Sequence, residues 1–259
     1  MTRALARPLL GPVPGPVLGA VLALVLLAGC GSAEQGSGDE SNAREPASPS
    51  SSASSSVGGC AASDAAQSRA QIIAKVDLDG DGTSNDVGLT GPDDACPSLL
   101  SVVVAGGDVS TSLSADQPPV RTAFGVDVPG RTGELLVTRQ DHPRGGFQLR
   151  VYAAGDGKLV ELEVDGHSLV PFVALDVQEH PLSVDCTNGG VVITEAVAHE
   201  PPGVMFTWDV RRTPYAVECT GVTAGRTEEI ADNVLPGQLD AKYPDLVKYA
   251  AFKSCRSGS

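Results

Sequence analysis

Short apolar runs rich in β-branched residues, separated by turn-forming residues, dominate the sequence from about Gln71 onward. Helical periodicity is hard to find in this part of the chain, and parallel sheets need long crossover connections that are usually helical. The pattern therefore predicts an all-β fold of antiparallel hairpins. The runs that predict strands are QIIAKV, LLSVVVAG, GELLVTR, FQLRVYAA, KLVELEV, GGVVITEAV, VMFTWDV and PYAVEC.

The joints between these runs carry Gly, Asp, Asn and Pro, which favour tight turns. AAGDGKL and CTNGGVV are the strongest hairpin candidates. Two short helices are predicted near the ends of this region, over residues 61–69 and 245–252. Trp208 stands between alternating apolar residues and is predicted to lie in the core.

An apolar-Asp-apolar step recurs at Asp77, Asp127 and Asp176, at spacings of 50 and 49 residues. A period of this length is expected for propeller blades of about four strands each. Three such units are too few to close a propeller of the usual ~4 to 8 blades. We therefore expect degenerate, propeller-blade-like repeats, with a β-sandwich of the same hairpins as the alternative.

The N-terminus begins with Arg3 and Arg7, followed by an apolar run and then small residues before Cys30. This layout is typical of an export signal over residues 1–29. Leu27-Ala28-Gly29-Cys30 resembles the bacterial lipobox, which implies that Cys30 is acylated, for example with palmitate, and anchors the chain to the cell membrane on its extracytoplasmic face. An ordinary signal peptide or a retained anchor helix is the alternative.

Residues 30–59 are rich in Ser, Gly and Pro and nearly free of large apolar side chains. Such a segment cannot bury enough surface to offset its ordering entropy, so a disordered tether is predicted. The β-rich extracytoplasmic domain is then expected over residues 60–259, with two or three repeats of about 50 residues.

The formal net charge is −14, and loss of Arg3 and Arg7 with the signal would lower it to −16. A strongly acidic surface repels phosphate backbones, so no nucleic-acid partner is expected. The expected partners are the membrane, through lipidated Cys30, and an envelope protein or glycan.

Five cysteines remain once Cys30 is assigned to lipid, and an exported chain is expected to form disulfides. Cys186 with Cys219 is the first choice, because each follows an extended segment of the C-terminal part. Cys60 with Cys96 is the second choice and would enclose the acidic segment between them. This leaves Cys255 over.

The segment VDLDGDGTSNDVGL crowds four carboxylates into ten positions. Counted from Asp77, oxygen donors fall at positions 1, 3 and 5, a glycine at 6, the Thr83 carbonyl at 7 and Asn85 at 9. This is the ligand order of a calcium loop, although position 12, where an EF-hand places Glu, is Gly88. The strand-like flanks also argue against an EF-hand.

These residues resemble the D-x-D-G-D-G loop of FG-GAP and VCBS repeats, which are calcium-binding β-hairpins. The resemblance implies a structural calcium ion held by the side chains or carbonyls of Asp77, Asp79, Asp81, Thr83 and Asn85, with Asp86 as a substitute in a longer loop.

GVDVPGRTGELLVTR resembles a degenerate second repeat, with Pro129 and Arg131 where acids are needed, and is expected to bind no metal. The plan of lipobox, tether and one such loop resembles that of actinobacterial surface lipoproteins.

Two other interpretations of the acidic segment remain open. One is a solvated acidic turn. The other is the D-x-D-G-T nucleophile motif of haloacid-dehalogenase-type phosphatases, but Asp81 stands where that motif needs Thr, and the alternating helices of that fold are not predicted.

The combined prediction is a non-enzymatic lipoprotein with a calcium-clamped β-domain that binds or scaffolds at the cell envelope. No catalytic residue is assigned. The alternative is an exported hydrolase whose residues meet only in the fold, in which case His167 or His180 should meet a carboxylate in a pocket.

Overall fold

The computed structural model describes residues 70–92, 97–174, 180–199 and 206–255, and these form an all-β fold with two short helices. The predicted fold class is confirmed. Eight strands form one sheet in the order β1-β2-β3-β4-β8-β7-β6-β5, and five more form a C-terminal sheet around β13. In the first sheet the two end strands, β1 and β5, lie against each other, so the sheet is nearly a barrel.

The first sheet and its accompanying hairpin contain β1 (Gln71–Val76), β2 (Asn85–Thr90), β3 (Leu99–Val104), β4 (Gly107–Ser112), β5 (Val120–Val126), β6 (Leu135–Asp141), β7 (Phe147–Gly155), β8 (Lys158–Glu161), β9 (Glu163–Val164) and β10 (His167–Ser168). The C-terminal part contains β11 (Leu182–Thr187), β12 (Gly190–His199), β13 (Thr207–Glu218), β14 (Gly221–Ala224), β15 (Glu228–Val234), α1 (Pro236–Lys242), α2 (Pro244–Val247) and a 3₁₀ turn (Lys253–Cys255).

The eight-stranded sheet consists of two four-stranded antiparallel meanders, β1–β4 and β5–β8. A single parallel contact between Ser110 on β4 and Lys158 on β8 joins them. The first strands of the two meanders run into Asp77 and Asp127, so the 50-residue spacing in the sequence corresponds to one meander. The third occurrence of the step, Asp176, lies outside the described residues.

Successive side chains of a strand point to opposite faces of the sheet, so the second meander contributes to two apolar cores. On β6, Leu136 packs into the barrel core, whereas Leu135 and Val137 pack into the core between the two sheets. The barrel core contains Val76, Leu78, Val87, Leu100, Val102, Val109, Leu113, Leu136, Tyr152 and Leu159. The second meander therefore supplies one face to each core, which holds the C-terminal sheet against the barrel.

Both predicted hairpins are present. β7 turns into β8 through Asp156 and Gly157, whose φ angles of 51° and 71° suit a tight two-residue turn. β11 turns into β12 at Asn188 and Gly189, with Thr187 paired to Gly190. Gly189 has a positive φ of 76° in this turn, whereas Asn188 does not.

VMFTWDV and PYAVEC were predicted as two strands, but TWDV of the first and PYAVE of the second belong to one strand, β13. Its ladder with β15 ends at Arg212 and its ladder with β14 starts at Tyr215. Pro214 lies between these two ladders, so its missing N–H removes no hydrogen bond to β14 or β15. Trp208 is only 3% exposed, which confirms its predicted place in a core.

The C-terminal tail forms two short helices and a 3₁₀ turn. The predicted helix over residues 245–252 is reduced to α2, because Pro244 starts it and Tyr249 adopts a φ of 50° soon afterwards. The helix predicted over residues 61–69 lies outside the described residues. No helix of the described residues is both long enough and apolar enough to span a membrane.

The predicted pairing of Cys186 with Cys219 is wrong, because Cys186 bonds Cys255 with a Cα–Cα distance of 5.1 Å. Strand β12 separates β11 from β13, and strands two apart lie ~10 Å from each other, beyond the ~7 Å reach of a disulfide. Cys219 is also disulfide-bonded. Cys60 and Cys96 lie outside the described residues.

Burial inside the barrel raises the pKa of Tyr152 to about 12, and the charge of Glu161 adds to the effect. Between pH 10 and 12 the unfolded chain loses this proton while the folded chain keeps it. The free energy of unfolding should therefore fall by about 1.4 kcal/mol per pH unit from this residue alone. Urea unfolding at pH 9, 10, 11 and 12 should show a smaller loss for Tyr152→Phe than for wild type. Equal losses would contradict this assignment.

Candidate metal site in the β1–β2 loop

The acidic segment forms the eight-residue loop 77–84, which joins β1 to β2 between the paired residues Val76 and Asn85. Asp77 organises the loop: its Oδ1 accepts a hydrogen bond from the Gly80 N–H at 2.8 Å and its Oδ2 accepts one from Gly82 at 2.9 Å. Gly80 and Gly82 have φ angles of 72° and 85°, which only glycine adopts freely. The sequence thus folds the loop around the first carboxylate.

Three of the predicted ligands converge. One carboxylate oxygen from each of Asp77, Asp79 and Asp81 lies within 4.8 Å of the other two. Asp79 Oδ2 accepts a hydrogen bond from the Ala105 N–H at 2.9 Å, which ties the loop to the β3–β4 turn. Asp81 Oδ1 accepts one from Thr83 at 2.7 Å.

Two buried oxygens of the predicted ligand set have no hydrogen-bond partner: Asp79 Oδ1 and Asn85 Oδ1. A buried polar atom without a partner costs about 1–3 kcal/mol, and more when the group is charged. Backbone amides bond Asp79 Oδ2 and Asp81 Oδ1, which leaves Asp79 Oδ1 and Asn85 Oδ1 as the buried oxygens that a cation would satisfy. The donor set therefore fits a hard divalent ion.

Asp86, the predicted substitute ligand, is not part of the cluster. Its carboxylate pairs with Lys75 Nζ at 2.5 Å on the exposed β1–β2 ladder. At position 12, Gly88 lies on β2, and a Cβ there would stand 2.9 Å from the Ala70 side chain. A glutamate of the EF-hand type would therefore not fit, and the flanking segments are strands, as the sequence predicts.

The loop 127–134 is the counterpart of the acidic loop in the second meander. It has the same length, since Val126 pairs with Leu135. Arg131 stands where the first loop has Asp81, and its Nη1 donates a hydrogen bond to the Cys219 carbonyl at 2.9 Å. This loop connects the barrel to the C-terminal sheet, because the Gly189 N–H also bonds the Pro129 carbonyl at 2.6 Å.

The two loops are in direct contact. The Glu134 N–H bonds the Asp77 carbonyl at 2.6 Å, and Glu134 Oε2 accepts from the Asp77 N–H at 2.9 Å. Sequence reasoning missed Glu134 and Ala105 as supports of the acidic loop. Only the matching apolar-Asp-apolar steps hinted that the two loops are related.

The other polar candidates lie elsewhere. His180 Nε2 is 2.8 Å from Glu195 Oε2, both about one-quarter exposed, so this histidine does meet a carboxylate. His167 is exposed, and Ser168 of the GHSLV segment donates to Glu161 at 2.6 Å. Glu161 also receives Arg150 Nη1 at 2.7 Å, which makes it a structural ion pair.

Comparison with known proteins adds no family or fold assignment. No protein-family model matches the chain, and no curated protein or solved structure matches it either.

Proposed function

We propose that the β1–β2 loop binds one structural calcium ion through Asp77, Asp79, Asp81, the Thr83 carbonyl and Asn85. The unpartnered buried oxygens of Asp79 and Asn85 are the observation that supports this most directly. Three carboxylates brought together without a cation would repel one another. Calcium takes six to eight oxygen ligands in flexible geometry, which suits a mixed set of carboxylate, amide and carbonyl oxygens.

The ion would stabilise the junction of three hairpins. The loop belongs to β1–β2, Asp79 bonds Ala105 in the β3–β4 turn, and Asp77 bonds Glu134 next to β6. Calcium at its dissociation constant would add ~0.4 kcal/mol to the free energy of unfolding, and ~1.4 kcal/mol at tenfold excess. These values favour a local clamp over a sensor.

Isothermal titration should detect one calcium ion per wild-type chain, with a dissociation constant of ~10⁻⁴ to 10⁻³ M, and calcium should raise the melting temperature. Asp79→Ala should abolish both effects, because it removes a ligand. Asp81→Asn, at an exposed position, should weaken both and provides a second test if Asp79→Ala does not fold.

Asp86→Asn is the matched control, because it removes the same charge beside the loop but belongs to the Lys75 pair. It should bind calcium like wild type. Absence of heat and of any change in melting temperature at millimolar calcium in wild type would refute the calcium proposal.

We propose further that the chain is a lipoprotein of the cell envelope, anchored through Cys30 and displayed on the tether of residues 30–59. Its hairpins are FG-GAP-like in this proposal, and its role is binding or scaffolding. Leu27-Ala28-Gly29-Cys30 supports the anchor.

Metabolic labelling with palmitate in an actinobacterial host should label wild type and leave Cys30→Ala unlabelled and outside the membrane fraction. Equal labelling of both would refute the anchor.

The hydrolase alternative has one observation in its favour, the His180–Glu195 pair. Among the described residues, no Ser, Thr or Cys side chain hydrogen-bonds to either partner, whereas a hydrolytic triad needs a nucleophile in reach of its base. We therefore favour binding over catalysis.

A further inference from the structure

A groove of about 410 Å³ lies between the loops 77–84 and 127–134. Its charged and polar lining comprises Asp77, Ser84, Asp127, Arg131, Thr132 and Glu134, and three glycines complete the wall. This volume falls in the range of ~300–1,000 Å³ in which proteins hold small molecules. The glycines leave backbone accessible at the wall, which lets a ligand approach closely.

Arg131 lies in the wall of this groove, and its guanidinium lacks part of its hydrogen-bond partners. Its Nε is buried and has no hydrogen-bond partner, while its Nη1 donates to the Cys219 carbonyl. No carboxylate of the described residues lies within ion-pair distance of its guanidinium. Burial lowers the pKa of Arg131. Because Arg131 lines the groove, an anionic group that entered it would meet a guanidinium that has no carboxylate partner.

Asp127 is the complementary group. Its backbone N–H bonds the Cys255 carbonyl at 3.1 Å, which holds the residue in place. Its carboxylate makes no hydrogen bond or ion pair among the described residues, although Arg131 lines the same groove. Asp127 and Arg131 thus offer one groove an anionic and a cationic group that do not pair with each other.

We propose that this groove binds a small zwitterion of the α-amino-acid class, whose carboxylate is held by Arg131 and whose ammonium is held by Asp127. The lining carries three carboxylates and one guanidinium, a formal charge of −2. The groove should therefore prefer a basic amino acid to an acidic one. This site is separate from the calcium ligands Asp79 and Asn85, although Asp77 contributes to both.

The test is an amide-resolved NMR titration of the full-length chain at pH 7 and constant ionic strength. The probes are L-lysine, glycine, L-glutamate, acetate and methylammonium. Lysine and glycine should shift the amides of Gly80, Gly82 and Gly133 saturably, with lysine tightest. Glutamate, acetate and methylammonium should bind at least tenfold more weakly than lysine.

Arg131→Gln and Asp127→Asn should each weaken lysine binding at least tenfold. Asp127 is exposed, so its variant provides the test if Arg131→Gln fails to fold. Arg121→Gln is the matched control, since Arg121 is 69% exposed on β5, and it should bind like wild type.

Three results would overturn the proposal: no saturable shift with lysine or glycine, acetate binding as tightly as glycine, or unchanged lysine binding in both variants. Asp79→Ala separates this site from the calcium site. It should lose calcium and keep lysine binding, whereas Arg131→Gln should lose lysine and keep calcium.

Discussion

Replacing Cys255 with serine should lower the free energy of unfolding by about 4 kcal/mol. The disulfide joins residues 69 positions apart, so its loss returns a large loop to the unfolded chain. The bond also holds the tail over β11, where Phe252 is fully buried and its N–H bonds the Val184 carbonyl at 2.7 Å. Urea unfolding at pH 7 without reductant measures the change, because a reductant would also open the bridge of Cys219.

Two variants sharpen this result. The double variant Cys186→Ser with Cys255→Ser should cost no more than either single one, since all three remove the same bond. Ser254→Ala keeps the disulfide and removes the hydroxyl that bonds Asp185 Oδ1 at 2.9 Å, so it should cost only about 1 kcal/mol. A loss below about 1 kcal/mol for Cys255→Ser would show that the bond does not constrain the tail.

Gly133→Ala should destabilise the fold by about 2–5 kcal/mol and weaken calcium binding. Its φ of 74° costs an L-residue about 1–2 kcal/mol. Its Cβ would also press on the Leu78 carbonyl oxygen and come within 3.1 Å of Gly80 N. Since both atoms belong to the acidic loop, relief of the overlap should displace the proposed calcium ligands, and overpacking adds about 1–3 kcal/mol.

Gly145→Ala is the matched control, because Gly145 also has a positive φ, 96°, but a methyl group added there would have nothing within 4 Å. It should cost about 1–2 kcal/mol through backbone strain alone and leave calcium binding unchanged. The difference between the variants measures the contact between the two loops. Urea unfolding and calcium titration of both provide the comparison, and equal costs would show that the loops can separate freely.

Local patterns in the sequence predicted the strands that carry long apolar runs, but the more polar strands β4, β5, β14 and β15 were not predicted. QIIAKV coincides with β1, and the turn at Asp156-Gly157 was found because the positive φ of both positions favours those residue types. At Asn188-Gly189 the positive φ lies on Gly189 alone. The non-local part of the fold was not predicted either. Strand order decides that β12 separates Cys186 from Cys219, and no spacing along the chain reports strand order.

The candidate site also combines local features, which the sequence predicts, with non-local ones, which it does not. The convergence of Asp77, Asp79 and Asp81 follows from alternating acids and two turn glycines within one loop, so it was predictable. The supports from Ala105 and Glu134 come from other hairpins, 26 and 57 residues away along the chain. They arise from the way the barrel brings its two ends together.

The position of β1 has a mechanical consequence. β1 pairs in a ladder only with β2, starting at Gln71 opposite Leu89 and ending at Val76 opposite Asn85. Tension on the chain ahead of Gln71 would load these pairs one after another, so the hydrogen bonds between β1 and β2 would break in sequence from Gln71 toward Val76. The acidic loop lies at the far end of this ladder and is hydrogen-bonded to Ala105 and Glu134. An ion bound there would resist the separation of β1 from β2 beyond Val76. Such an ion would limit the opening to β1 and keep β2 and the rest of the sheet paired.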